Sequence, residues 1–345
     1  MTTAVPSAAV PEWARVRRQV RPIERMFTVA CVIATWSSFA FLIVIVGAIV
    51  HMAWGWLDWQ LLTSYDSALD PKKAGIIAGL WGTGWTILLT FLFAIPMGIG
   101  AGVYLEEYGS NSRLARLIQI NIANLAGVPS VVFGILGLSV FARMFGVFDQ
   151  GGLIDRWTGH HVTGVKLIGI EIPLPFGRCV LTGSLTMALL VLPVIIVATQ
   201  EALRAVPKSL RESSLALGAT KWQTIRHQIL PAGLPGILTG VILAMSRAIG
   251  ETAPLILIGA ATFVRFSPGN IDGFAAIRDN PAGLLKAPFD KYTVLPIQIF
   301  NWVRQSKPEF GNVAAAAIIV LLLMLVVLNG VAIFIRYRFQ RHTRW

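Results

Sequence analysis

The sequence predicts an all-α integral membrane protein with six transmembrane helices, and three observations carry that prediction. Of its 345 residues, 55% are hydrophobic and 13% are charged, whereas ordinary soluble domains carry about 25% charged residues. Six apolar stretches reach the roughly 20 residues that a helix needs to cross the hydrocarbon core. Basic residues gather at the ends of these stretches, with Arg17, Arg18, Arg21 and Arg25 before the first and Arg336, Arg338, Arg341 and Arg344 after the last. That placement ties the net charge of +12 to topology and anionic lipid heads. It argues against nucleic acid as a partner.

In chain order, residues 1–25 read as a cytoplasmic tail. Met26–Met52 is too long for a signal-peptide core and no small-x-small cleavage site follows it, so it is expected to stay as the first span. Leu80–Val103, Ile122–Ala142, Cys179–Thr199, Ile237–Ala260 and Val313–Ile335 follow as spans two to six, and residues 336–345 form a basic tail. Lys and Arg are denser on the side that holds the two ends, which predicts both termini in the cytoplasm. Pro96, Pro129, Pro193 and Pro254 interrupt spans that are also rich in glycine. Close helix packing accounts for most of these. At "GVPS" (Gly127–Ser130) irregular backbone lining a pathway is the alternative, with the Ser130 hydroxyl at membrane depth. Two exterior loops are long. Residues 143–178 contain "VKLIGIEIPLPFG", which predicts a short hairpin or extended cap; residues 261–312 contain "YTVLPIQIFNWV", apolar enough to pack back on the membrane face.

The chain carries little that could do chemistry. Cys31 and Cys179 belong to no CxxC pair, and the adjacent His160 and His161 have no further ligands at metal spacing, so neither a disulfide nor a metal site is expected. A phosphate-cradling P-loop needs G-x-x-x-x-G-K-[ST]; Lys208-Ser209 is preceded by Pro207 and lacks the glycines. No catalytic motif of the H-E-x-x-H or G-x-S-x-G kind is present, so the chain reads as a non-enzyme.

The segment after the fourth span, "EALRAVPKSLRESSLALGATKWQTIRHQILPAGLPG", is amphipathic on both sides of Gly218. Glycine takes a left-handed conformation without a Cβ clash, so Gly218 is expected to end one short helix. Pro231 is expected to end the second. Residues 201–232 resemble the EAA loop of ABC-importer permeases, whose pattern is Glu-Ala-Ala, three residues, Gly, nine residues, Ile, one residue, Leu-Pro. Glu212, Gly218, Leu230 and Pro231 fall in register, while Ser213 and Ser214 replace the alanines and Gln228 holds the isoleucine position. "IPMGIGAGVYLEEYG", "LAGVPSVVFG", "SRAIGETAPL" and "LPIQIFNW" are similar to the PstA branch of phosphate permease subunits. The resemblance implies a type I ABC importer (MetI-like) permease fold for a core at residues 74–335, in a bacterial cytoplasmic membrane. It implies as partners a homologous PstC-like permease, two PstB-like ATPases that use the ATP and Mg, and an extracytoplasmic PstS-like phosphate-binding protein. It also implies phosphate as substrate and an ATPase-coupling role for the 201–232 loop.

Arg247 and Glu251, in "SRAIGET", stand four residues apart in an apolar stretch, on one face if the helix continues. A central Arg in a membrane helix costs about 2.5–3.5 kcal/mol on insertion scales. A structural ion pair would offset that cost. A planar fork of donors for an oxyanion is the functional alternative. Another oxyanion in the same family, or an ion-coupled secondary transporter using the pair as a relay, are the competing functions. Only the importer needs a docking ridge for an ATPase.

Overall fold

The computed structural model describes residues 22–109, 112–148, 152–158, 164–167, 170–260 and 263–340. The N-terminal arginines up to Arg21, the His160–His161 pair, Arg341 and Arg344 lie outside them. Helix α1 (Pro22–Ala53), described by itself, is a single 32-residue helix whose apolar residues surround it on all sides, as a lipid-facing span requires. Among the described residues, five helical runs are long and apolar enough to cross a membrane, and a bent pair makes a sixth. The protein is a multi-pass membrane protein.

Beyond α1, the Asp58 carboxylate accepts the Leu61 N–H at 2.9 Å and caps α2 (Trp59–Thr63). Helix α3 (Ile77–Val103) continues through a π-helical turn at Tyr104–Tyr108. Span three departs from the straight helix expected over Ile122–Ala142. It consists of α4 (Arg113–Ala126) and α5 (Ser130–Gly137) with its π-helical extension, bent by 110°. Pro129 supplies the reason: it lacks an N–H and crowds the turn before it. The 143–178 segment holds α6 (Leu153–Thr158) and the expected hairpin, Gly164–Leu167 antiparallel to Ile170–Pro173.

Helix α7 (Val180–Arg204) is the buried axis of the molecule. On one side a Cβ at Gly98 or Gly102 of α3 would come within 2.6 Å of Ile195 or Thr199. On another, α10 (Leu230–Gly250) approaches through Gly240, where a Cβ would meet Ala198 at 2.1 Å. Such backbone proximity is how apolar helices gain dispersion energy where lipid supplies no hydrophobic drive. Between α7 and α10 lie α8 (Lys208–Ala216) and α9 (Lys221–Thr224). After α10 come α11 (Ala253–Ile258), α12 (Phe274–Asp279), α13 (Pro281–Lys286), α14 (Leu295–Val303) and α15 (Glu309–Gln340).

The fifth span also departs from expectation. Its helical run is Lys221–Gly250, not Ile237–Ala260. Pro231 does not end a helix; the run passes through it by way of a π-helical turn at Ile225–Ile229, where Leu230 N–H bonds the Ile225 carbonyl. The wider turn absorbs a residue whose missing donor would otherwise break the ladder.

Helix α14 packs back onto the fold as its apolar sequence suggested, with Leu295, Ile297, Gln298, Ile299 and Trp302 buried. Gln298 Nε2 donates to Gly75 O at 2.8 Å, Leu295 N to Thr83 Oγ1 at 2.9 Å, and Trp302 Nε1 to Asp66 Oδ1 at 2.9 Å. Burial pushes the Asp66 carboxyl above its ordinary value, and the Trp302 indole pulls against that shift. The native state therefore holds this proton more tightly than the unfolded chain does. The group's contribution is largest below the ordinary aspartate value and is lost as pH rises through the raised folded one. Replacement of the indole leaves a buried carboxylate short of a donor, a loss of about 1.5–3 kcal/mol for a bond to a charged group. Trp302→Phe should lower the melting temperature in detergent at neutral pH and recover part of it in acid; equal losses at both pH values would show that packing alone is at stake.

Candidate functional site

Arg247 lies in the last turn of α10, not at the centre of a span. Glu251 is the residue after the helix, with extended backbone (φ −84°, ψ 114°). The break follows from the sequence. Gly250 is a weak helix former, and Pro254 is most comfortable where a new helix begins, which it does at Ala253. The two charges still meet: Arg247 Nε and Glu251 Oε1 are 3.5 Å apart, with side chains 47% and 24% exposed. Charge-assisted hydrogen bonds run about 2.7–2.9 Å, so this pair neutralises charge without locking the guanidinium fork.

Glu251 lines a narrow cleft of about 20 Å³ whose far wall is α3. That wall is a stripe of buried threonines, Thr83, Thr86 and Thr90, at helical spacing. Each hydroxyl donates to the carbonyl four residues back, at 2.6, 2.8 and 2.7 Å. The hydroxyl protons are therefore committed, that of Thr90 being shared with the Ser184 carbonyl of α7 at 3.3 Å, and the oxygens can only accept. Arg247 does not line this cleft. The arrangement offers one carboxylate at the rim of a narrow, mostly apolar slot, with a cation paired to it from outside.

Ser130, half-buried, begins α5 directly after the Pro129 break. No hydrogen bond or ion pair among the described residues joins it to Arg247 or Glu251. Its helix nevertheless packs on α11: a Cβ at Gly134 would come within 2.8 Å of Pro254 Cα. The two interrupted spans thus put their short second halves side by side.

The 201–232 segment folds as helix, Gly218, helix. Gly218 has φ +85°, and a Cβ added there would meet nothing within 4 Å, so conformation alone calls for glycine. Thr220 and Gln223 close a capping box that starts the second helix. Glu212 is exposed on α8, Leu230 is half-buried and Pro231 exposed. Leu215, Leu217 and Trp222 stand exposed around the turn, 50%, 89% and 56% accessible, an apolar ridge open to a partner. The loop is tied to the spans by ion pairs. Glu107 Oε1 accepts from Arg211 Nε and Nη2 at 3.2 and 2.9 Å, and Arg211 Nη2 also donates to Leu203 O at 2.7 Å. Arg204 Nε donates to Glu106 Oε2 at 2.9 Å, and Lys221 Nζ lies 4.7 Å from the centre of the Tyr108 ring.

Sequence reading missed these ties and the threonine stripe. The repeat of threonine at 83, 86 and 90 was visible as a face; the acidic pair in "LEEYG" was visible beside an arginine-rich loop, but nothing local says which arginine each one meets.

Residues 94–345 match the family described as binding-protein-dependent transport system inner membrane component. The chain is 33% identical to the probable ABC transporter permease protein YqgI of Bacillus subtilis over 61% of its length and 62% of that protein's. It is 30% identical to the phosphate transport system permease protein PstA 1 of Mycobacterium tuberculosis over 69% of this chain and 72% of that one. It spans about three fifths of the length of the curated relatives matched first. Among solved structures, a chain of a bacterial ABC transporter involved in the import of the acidic polysaccharide alginate covers 92% of this chain and 97% of itself, at a TM-score of 0.56 and 17% identity. That likeness concerns the fold, which is the importer permease fold the sequence predicted.

The 110° break makes a prediction of its own. Freed carbonyls before Pro129 need water or a polar neighbour at membrane depth. In a Cys31→Ser background, where Cys179 is buried, Ser130→Cys should react with a membrane-impermeant thiol reagent. Complete resistance in every state of the protein would assign the break to helix packing.

Proposed function

The chain belongs to the family of binding-protein-dependent transport system inner membrane components, and we propose that it is the permease subunit of an ATP-driven importer of inorganic phosphate in a bacterial cytoplasmic membrane. Both termini face the cytoplasm in this reading, and ATP with its Mg is hydrolysed by two ATPase subunits, not by this chain. A homologous permease and an extracytoplasmic phosphate-binding protein complete the assembly. The names of relatives such as the phosphate permeases of Mycobacterium tuberculosis and Yersinia pestis support the substrate.

The observation that carries the reading is one unbroken helical run. It starts at the exposed ridge around Gly218 and ends beside the Arg247–Glu251 pair. Motion imposed on the ridge by an ATPase is delivered to a charged pair at the far end of that run, with the chemistry for an oxyanion. Arg247 offers a planar fork to the phosphate oxygens. Phosphate at neutral pH keeps a P–OH proton and sulfate does not, so Glu251 can accept that hydrogen bond while limiting how tightly the cation holds the anion. A lone cation would trap it; the loose 3.5 Å pair lets it leave. Ser130, at the adjoining break, supplies a hydroxyl to the same passage.

In proteoliposomes holding the whole complex, Arg247→Gln and Glu251→Gln should each abolish or severely reduce ATP-driven phosphate uptake with assembly intact. Arg247→Lys should retain part of it, since charge remains and the fork is lost. Normal uptake by the Arg247→Gln/Glu251→Gln double variant would reduce the pair to a structural contact, and uptake of sulfate in place of phosphate would reassign the substrate to another oxyanion.

Gly218 tests the coupling half. The left-handed region costs an L-residue about 1–2 kcal/mol, and a β-branched side chain tolerates it worst. Gly218→Val should uncouple ATP hydrolysis from uptake by tilting α8, which carries Glu212, while Gly218→Asn should keep most of the activity. A fully coupled Gly218→Val transporter would remove the docking role from this turn.

A further inference from the structure

On the face of the fold opposite the Gly218 turn, at the N-terminal end of α7, lies a second and larger hollow of about 560 Å³ that the translocation reading does not use. Three cations reach it from separate elements: Arg178 just before α7, Lys291 before α14, and Arg304 at the end of α14. The Asn301 side chain lines it as well, and among the described residues the lining contains no carboxylate. The nearest acid in sequence, Asp290, is committed elsewhere, its Oδ2 accepting the Gly269 N–H at 2.7 Å. We propose that this hollow is a vestibule that binds a phosphate-type oxyanion before it reaches Arg247 and Glu251.

Two features show that the cations are placed rather than scattered. Arg178 lies across Gly259, the left-handed residue that ends α11 (φ +88°); a Cβ there would come within 2.7 Å of its Cδ and 2.9 Å of its Nε. Glycine is needed at 259 both for the backbone and for the arginine's path. Arg304 sits with its guanidinium carbon 5.3 Å from the centre of the Phe300 ring, a face that orients the plane of the fork. Cations in a concave, partly apolar hollow focus the field and raise the local concentration of an anion, an effect that dilute surface charges do not produce.

The hollow is also in the right place. Gly259 closes the same short helix that opens just after Glu251, and six residues at 1.5 Å each make α11 about 9 Å long. Arg178, lying across Gly259, is thus joined to the Arg247–Glu251 pair through one short helix. The identity of the anion as phosphate rests on the transport reading; the anion site itself rests on the three cations and the hollow.

The test is arginine-directed labelling with phenylglyoxal of the assembled transporter in phosphatidylcholine discs, read at each residue by peptide mass while inorganic phosphate is titrated. Labelling of Arg178 and Arg304 should slow with one shared half-saturating concentration, while Arg278, on α12, should label at a constant rate. Lys291→Gln should raise that concentration about tenfold, the worth of one hydrogen bond to a charged group. Gly259→Ala should raise it too, with every charge retained. Phosphate-independent labelling at Arg178 and Arg304 overturns the proposal. So does protection that appears without added phosphate once phosphatidylglycerol replaces phosphatidylcholine, which gives the hollow to lipid headgroups. Protection in a complex that takes up no phosphate would leave the vestibule standing and sink the transport reading; uptake without protection would do the reverse.

Discussion

Everything in this fold depends on how closely α7 can be approached. Gly98, Gly102 and Gly240 remove the side chains that would hold α3 and α10 away from it, and Gly137 does the same for α5 against Thr186. Three buried hydroxyls of α7 do not disturb this contact because they are satisfied within the helix: Ser184, Thr186 and Thr199 donate to carbonyls four residues back at 2.7–2.9 Å. A hydroxyl that finds its partner in its own helix can sit in a dry interface at small cost. The second halves of the interrupted spans pack together, Gly134 of α5 lying against Pro254 of α11, while Pro129 at the first break stays exposed.

The Gly218 loop and the charged site are joined through that centre. Arg204 and Arg211 anchor the loop to Glu106 and Glu107 at the foot of α3, so α3, α7 and the loop share one base. From that base α10 rises along α7, held on its other side by α15, where the Ser246 hydroxyl lies 2.9 Å from Asn329 Oδ1 and Arg336 donates to Thr239 at 3.2 Å.

Much of this was legible in the residues. Apolar length located the spans, the spacing of Glu212, Gly218, Leu230 and Pro231 located the loop, and the β-branched run in 143–178 located a hairpin. What the sequence hid has two physical sources. Proline is ambiguous: Pro231 looked like a stop and is absorbed by a π-helical turn, whereas Pro129 and Pro254 stand at true breaks. Local composition does not distinguish these outcomes, since the neighbours that satisfy freed carbonyls are distant in sequence. Long-range pairing is the other source. That Trp302 meets Asp66, or that Arg178 lies over Gly259, depends on the packing of whole helices. Arg247 and Glu251 fall between these cases; their meeting follows from their spacing, while the helix end between them does not.

The π-helical turn that carries the chain past Pro231 has a mechanical meaning. Because the turn does not interrupt the run, Lys221 to Gly250 is a rod of 30 residues, about 45 Å from end to end. A tilt of about 5° about one end of such a rod moves the other by about 4 Å, more than the whole separation between Arg247 and Glu251. Glu251 sits just beyond the rod on extended backbone, so it need not travel with Arg247. In the proposed transporter, a small angular input at Lys221 would be geared into the making or breaking of this single ionic contact.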